Sequence, residues 1–207
     1  IGPSSGDPGY ERHLTGLARR SGNCHVAGYL DESARMAALA RAGYAIVAPI
    51  PSCGLMFKQE LPLMFPKDAD VQAVKKAMFD PFEYFVQRSK EGLLKKDFKD
   101  GLGKVAYHIP CHSRVQNVGQ KTREMLEMIP DTAVTTVERC AGHDGTWGVK
   151  KEYFDLSMKI GRPVFRQIAG AQPDFVASDC PIAGRHIRQG MGDDARDAEK
   201  IHPVFFI

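Results

Sequence analysis

The chain has 207 residues, 43% of them hydrophobic and 26% charged, with a formal net charge of +3. That suffices for a sizeable core, and basic residues interleaved with acids, as in KKDFKD at 95–100, leave no electrostatic footprint for nucleic acid. No apolar run reaches the roughly 18 residues of a membrane span and none reads as a secretory h-region, so neither direct membrane insertion nor a nucleic-acid partner is expected.

The opening IGPSSGDPGYERH is polar and rich in Gly and Pro, and residues 1–30 read as an irregular segment. DESARMAALARAG, from Asp31, predicts a helix capped by Asp31 or Ser33, with Met36, Leu39 and Ala40 on one face and Gly43 at its end. YAIVAPI (44–50) is a short apolar run typical of a strand covered on both faces, and it ends in Pro51-Ser52-Cys53. GLMFKQELPLMF reads as helical, broken by Pro62 and Pro66, with a Met and Phe stripe suited to core or to a subunit contact. Asp68 and Asp70 favour the start of a long helix over 68–94, interrupted at Pro81. KKDFKDGLGK is the best internal linker.

The second half repeats the plan. VAYHIP is a strand, followed by Cys111. SRVQNVGQKTREMLEMIP predicts an amphipathic helix with Val115, Val118, Met125, Leu126 and Ile129 inward, weakened at Gly119. AVTTVER is β-branched and strand-like, followed by Cys140; a helix over 148–171 bends near Gly161-Arg162-Pro163; PDFVASD is a strand, followed by Cys180. Alternating helix and strand argue for an α/β fold with mostly parallel sheets. Two similar small lobes related by internal duplication are expected over 31–100 and 101–192, with a C-terminal segment over 193–207.

The five cysteines are odd in number and widely spaced, which speaks against a disulfide framework and for a reducing, cytoplasmic setting. A single buried cysteine is ordinarily core filler. Four strands each followed by a cysteine are a different matter, because the carboxyl ends of parallel strands share the edge where ligands bind. Cys53, Cys111, Cys140 and Cys180 are therefore expected to share a function, and thiolate sulfur suits iron–sulfur clusters and zinc. CAGHDGTWG, from Cys140 to Gly148, places three glycines around a His and an Asp, letting backbone amides reach a cluster's sulfurs. SDCPIAG sets Cys180 at a helix start, where the dipole favours a thiolate.

YHIPCHSR, ERCAGHDG and SDCPIAG together resemble the cysteine-rich CCG family, found in the B subunit of heterodisulfide reductase, the C subunit of anaerobic glycerol-3-phosphate dehydrogenase and lactate-utilisation proteins. The family repeat carries a lone Cys, a Cys-Cys-Gly and a Cys-x-x-Cys, usually twice. Cys111 matches the lone cysteine, Cys140 the second of Cys-Cys-Gly and Cys180 the first of Cys-x-x-Cys. Cys53, in PIPSCGLMFKQELP, looks like the last cysteine of the earlier Cys-x-x-Cys, and Cys24 in GNCHVAG like a remnant of the first Cys-Cys-Gly. Arg139, Ile50 and Ala183 stand where the pattern has cysteine. The five-cysteine repeat that holds a non-cubane cluster in heterodisulfide reductase is thus incomplete. Three thiolates remain in the second repeat, enough for a [4Fe–4S] cubane with a non-Cys fourth ligand or for a zinc site. His143 and His112 are candidate fourth ligands; otherwise each hydrogen-bonds a backbone carbonyl or caps a loop.

Other residues around these motifs divide the same way. His108 reads as structural, and Arg139 and Arg114 either balance a thiolate cluster or form ordinary ion pairs. No Walker-type loop, post-strand G-x-G-x-x-G or nucleophile elbow is present. The resemblance implies an iron–sulfur electron-transfer or redox subunit of an oxidoreductase complex, cytoplasmic or membrane-associated only through a partner. Flavoprotein or ferredoxin-like subunits would be its partners. The alternatives are a non-redox zinc module on the same fold, and a thiol enzyme using Cys180 or Cys140.

Overall fold

A computed structural model describes residues 32–143, 145, 147, 148, 150–192 and Pro203. The expectations for residues 1–30, for Cys24, and for 193–207 apart from Pro203 lie outside the described residues. Helices and strands alternate around two small parallel sheets, as the α/β reading expects. Among the described residues one sheet has two strands and the other three, and an internal duplication is not shown.

The first lobe begins with α1 (Glu32–Arg41). Gly43, at φ +83°, follows it, and Tyr44 N–H reaches back to Leu39 O, closing the helix as a left-handed glycine cap does. Ala37 rather than Leu39 is its buried residue, packing with Val74 and Met78 while Leu39 stays exposed. Strand β1 (Ile46–Val47) is shorter than expected and Val47 is exposed; among the described residues β1 pairs with β2 (Met78–Phe79) alone.

The helix expected over 68–94 is interrupted at Pro81 as expected, but the interruption includes a strand, β2, between two helices. α4 (Ala69–Ala77) is capped by Asp68, whose Oδ1 accepts from Asp70 N and Val71 N at 2.8 and 3.1 Å. α5 (Pro81–Lys90) starts at a capping box: Asp80 accepts from the Phe82 and Glu83 amides, and Glu83 accepts from the Asp80 amide. With Pro81 at the first helical position, this signal starts a new helix and leaves Met78 and Phe79 to the sheet. Between β1 and α4 run α2 (Pro51–Leu55), a π turn over Met56–Glu60 and α3 (Leu61–Met64). The Met and Phe stripe divides here: Phe57 packs on the lobe's core, whereas Met56, Met64 and Phe65 are exposed.

The second lobe holds β3 (Gly103–His108), β4 (Thr132–Val137) and β5 (Phe175–Ser178), all parallel, with β3 in the centre. Between β3 and β4 the chain forms α6 (Cys111–Val115) and α7 (Lys121–Leu126) rather than one helix. The break falls at Asn117 and Gly119, both at positive φ, and it leaves Val115 exposed. A 3-10 turn (Lys151–Tyr153) leads into α8 (Phe154–Gly170), which runs on through Pro163, and α9 (Pro181–Gly190) follows β5.

Leu126 and Ile129 cover one face of the sheet, against Val105, Tyr107 and Ala177. Val164, Phe165 and Ile168 of α8 and Ile187 of α9 cover the other, against Ala106 and Val137. Met125 also packs on Phe82 and Val86 of α5, which joins the lobes through a shared apolar cluster. No helix among the described residues is long and apolar enough to cross a membrane.

Candidate functional site

The order β4-β3-β5 decides where a site can form. The helix after β3 lies on one face and the helix after β5 on the other, so the chain parts at the carboxyl ends of these two neighbours. Such a switch point opens a crevice in which α/β folds bind ligands. Cys111 opens α6 beyond β3 and is exposed. Cys180 is the N-cap of α9 beyond β5 and is half-buried. Cys140 follows β4 and is exposed, its Sγ 3.4 Å from the Gly142 amide that donates to it. Three thiols from three adjacent strands therefore share one edge.

Cys53 belongs to the first lobe's α2, which packs against α6. Gln116 ties the two helices together: its Nε2 donates to Pro51 O and to His112 O, each at 2.9 Å. Both Cys53 and Cys111 lie in the first turns of their helices and both are exposed. His112 is exposed on α6, and His143 is half-buried with its ring 6.2 Å from that of His186. Ile50 and Ala183, which replace family cysteines, are the N-cap of α2 and a buried core residue of α9.

Under the thiols lies a polar layer that joins the three strand ends. His108 Nε2 faces the carbonyl of Arg139 at 2.9 Å and so carries the proton, leaving Nδ1 to accept from Ser178 Oγ at 3.1 Å. Burial pushes its pKa down, in keeping with a neutral ring. Ser178 Oγ in turn accepts the Cys180 amide at 3.4 Å. One histidine thus fixes the backbone on the near side of both Cys140 and Cys180, a stronger role than the structural reading of His108 implied.

The loop after Cys140 is held by close contact. Gly142 has φ +84°, and a Cβ there would stand 2.2 Å from Ser157 O; one on Gly161 would stand 2.3 Å from Ala141 O. Ser157 Oγ donates to Gly142 O at 2.9 Å, so it accepts from His186 Nε2 at 3.0 Å. Glycine at 142 and 161 therefore lets the loop lie directly on α8.

Asp179 was not singled out from the sequence. It is fully buried beside Cys180, and it accepts from Tyr107 Oη, from Thr122 Oγ1 at 2.9 Å and, at a long 3.5 Å, from Ser113 Oγ. Burial, and then the Asp80 carboxylate, push its pKa up to about 7. Arg114 takes the ordinary option, pairing with Glu138 at 2.9 Å.

Among the described residues, no three His, Cys, Asp and Glu side chains converge closely enough to hold a metal ion. A tetrahedral zinc needs all its thiolates about 2.3 Å from one point. A cluster places its thiolates on separate irons. Cys111, Cys140 and Cys180 would hold such a group.

Residues 105–188 match the CCG family, a cysteine-rich domain. The match spans β3 to α9 and takes in all three edge cysteines. The chain is 42% identical over 78 residues to the C subunit of anaerobic glycerol-3-phosphate dehydrogenase of Escherichia coli, covering 37% of this chain and 20% of that protein. It is 30% identical over 131 residues to the D subunit of dihydromethanophenazine:CoB–CoM heterodisulfide reductase of Methanosarcina acetivorans, covering 58% and 32%. An uncharacterized iron-sulfur protein of Methanococcus maripaludis is 32% identical over 106 residues, covering 49% and 21%. The chain thus spans only a fifth to a third of these curated relatives. No solved structure matches it.

Proposed function

We propose that this chain is the cysteine-rich portion of an iron–sulfur electron-transfer subunit in an oxidoreductase complex. The observation that carries the reading is the shared edge: Cys111, Cys140 and Cys180 stand at the carboxyl ends of three adjacent parallel strands within the CCG segment. The names of the relatives, two oxidoreductase subunits and an iron-sulfur protein, support it.

The cluster is a [4Fe–4S] cubane held by these three thiolates, with Cys53 reaching across from α2 or His143 or His112 as the fourth ligand. It would supply one-electron chemistry when bound. The protein's own part is to hold the thiols through His108, Ser178 and Ser157, and to donate the Gly142 amide toward sulfur, which raises the reduction potential. Flavoprotein or ferredoxin-like subunits are its partners, and the setting is cytoplasmic or membrane-associated through one of them.

The test is iron and acid-labile sulfide on anaerobically purified protein, with visible absorption and EPR before and after dithionite. Iron, sulfide and a dithionite-bleached band are expected, all lost in Cys111→Ser. Stoichiometric zinc with no visible band would sink the electron-transfer reading in favour of the zinc module. Redox turnover that survives removal of all metal would favour a thiol enzyme.

A further inference from the structure

Arg139, Lys159, Arg162 and Arg166 line one open depression of about 530 Å³, together with Pro163 and Gln167. All four cations are exposed, and none forms an ion pair among the described residues. Arg114, which like Arg139 lies close to the end of β4, is by contrast paired with Glu138. Four like charges in one place, with no ion pair among the described residues, repel one another, and a protein of net charge +3 does not need them there for solubility.

The depression adjoins the cysteine edge. Arg139 directly precedes Cys140, and its carbonyl is held by His108. The loop over 140–142 lies on α8 between Ser157 and Gly161, in the same stretch that carries Lys159 and Arg162. Lys159, Arg162 and Arg166 fall at i, i+3 and i+7, so they form one stripe of α8. Leu156, Ile160 and Pro163, at i, i+4 and i+7, form the neighbouring stripe, and all three are exposed.

We infer that this face of α8 is the docking surface for an acidic electron-carrier protein, which meets the chain beside Cys140. Length argues for a protein surface over a small anion: the cationic stripe runs seven residues, about 10 Å of helix, too far for one phosphate to bridge. The apolar stripe argues the same way. Exposed aliphatic side chains beside charges are what a partner covers, the charges steering its approach and the apolar groups holding it. This deepens the proposed function and rests on it for the nature of the partner, but its binding is read separately.

The test uses the metal-loaded chain and an acidic plant-type [2Fe–2S] ferredoxin as probe, titrated calorimetrically at low and high salt. The double variant Arg162→Glu/Arg166→Glu is compared with Lys67→Glu/Lys75→Glu, which makes the same change of net charge on the first lobe. Binding is expected at low salt, weakened about tenfold or more by the α8 reversal and by salt, and unchanged in the first-lobe control. Equal binding by both variants, equal loss in both, or no binding by the native chain would overturn the inference. So would stoichiometric binding of inorganic phosphate that displaces ferredoxin, which would make the depression a small-anion site. Visible spectra of the same samples separate the two readings. A bleachable cluster without α8-dependent binding removes the docking surface alone, and α8-dependent binding without iron removes the cluster alone.

Discussion

Asp179 sits one residue before Cys180 with hydroxyls on both carboxylate oxygens and no cation among its hydrogen-bond partners. Its pKa is 3.8 in the unfolded chain and about 7 when folded, because burial and Asp80 outweigh the hydrogen bonds. Between those values the folded chain holds a proton that the unfolded chain has lost. Asp179 therefore contributes stability in full below about pH 4 and loses it as pH rises through 7. His108 and His186, both pushed down by burial, act in the opposite sense and add stability as pH rises toward 6.5. Asp179→Asn is expected to shift the balance. Compared by urea denaturation, the native chain should lose stability relative to the variant between pH 4.5 and 7, whereas parallel curves would show a carboxylate ionised throughout. The sequence could not reveal this residue: Asp before Cys-Pro reads as a helix cap, and its partners Tyr107 and Thr122 are 72 and 57 positions away.

At the scale of elements, the cysteine positions were legible because an apolar run followed by a thiol is a local pattern, and all three strands of the second sheet appear where it places them. Pro81 and Gly119 marked where two helices would weaken, but not what the chain does there. β2 is only two residues long, too short to show a period, and α6 parts from α7 where Asn117, as well as Gly119, adopts a left-handed conformation that its type merely tolerates. Also hidden was the contact between the Cys140 loop and α8, which depends on glycines 19 positions apart. Here the expected effect is graded. Gly43→Ala meets nothing within 4 Å and carries only its backbone cost, about 1 kcal/mol, whereas Gly142→Ala adds a clash with the Ser157 carbonyl. The second should lower the thermal midpoint by more and speed alkylation of Cys140 as the loop lifts. Equal midpoints would mean the loop does not rest on α8.

At the scale of the molecule, Phe82 and Val86 come from the first half of the chain and Met125 from the second, yet they share one buried cluster. Unfolding should accordingly be a single transition, with fluorescence of Trp147, the only tryptophan, coinciding with far-ultraviolet circular dichroism. Phe82→Ala should cost about 3–5 kcal/mol and expose any independence of the lobes as two separated transitions. Binary patterning indicated helical cores for each half but not their fusion, since nothing local distinguishes an apolar side chain facing its own sheet from one facing the neighbouring lobe. Gln116 adds a mechanical side to that fusion. It grips the Pro51 carbonyl of one lobe and the His112 carbonyl of the other, and the helix it caps at the C-terminal end is only five residues long and begins with Cys111. A force that pulls the Pro51 turn away must either break that grip or drag the short helix along, so strain in the first lobe is delivered as a tug on the thiol at the centre of the edge.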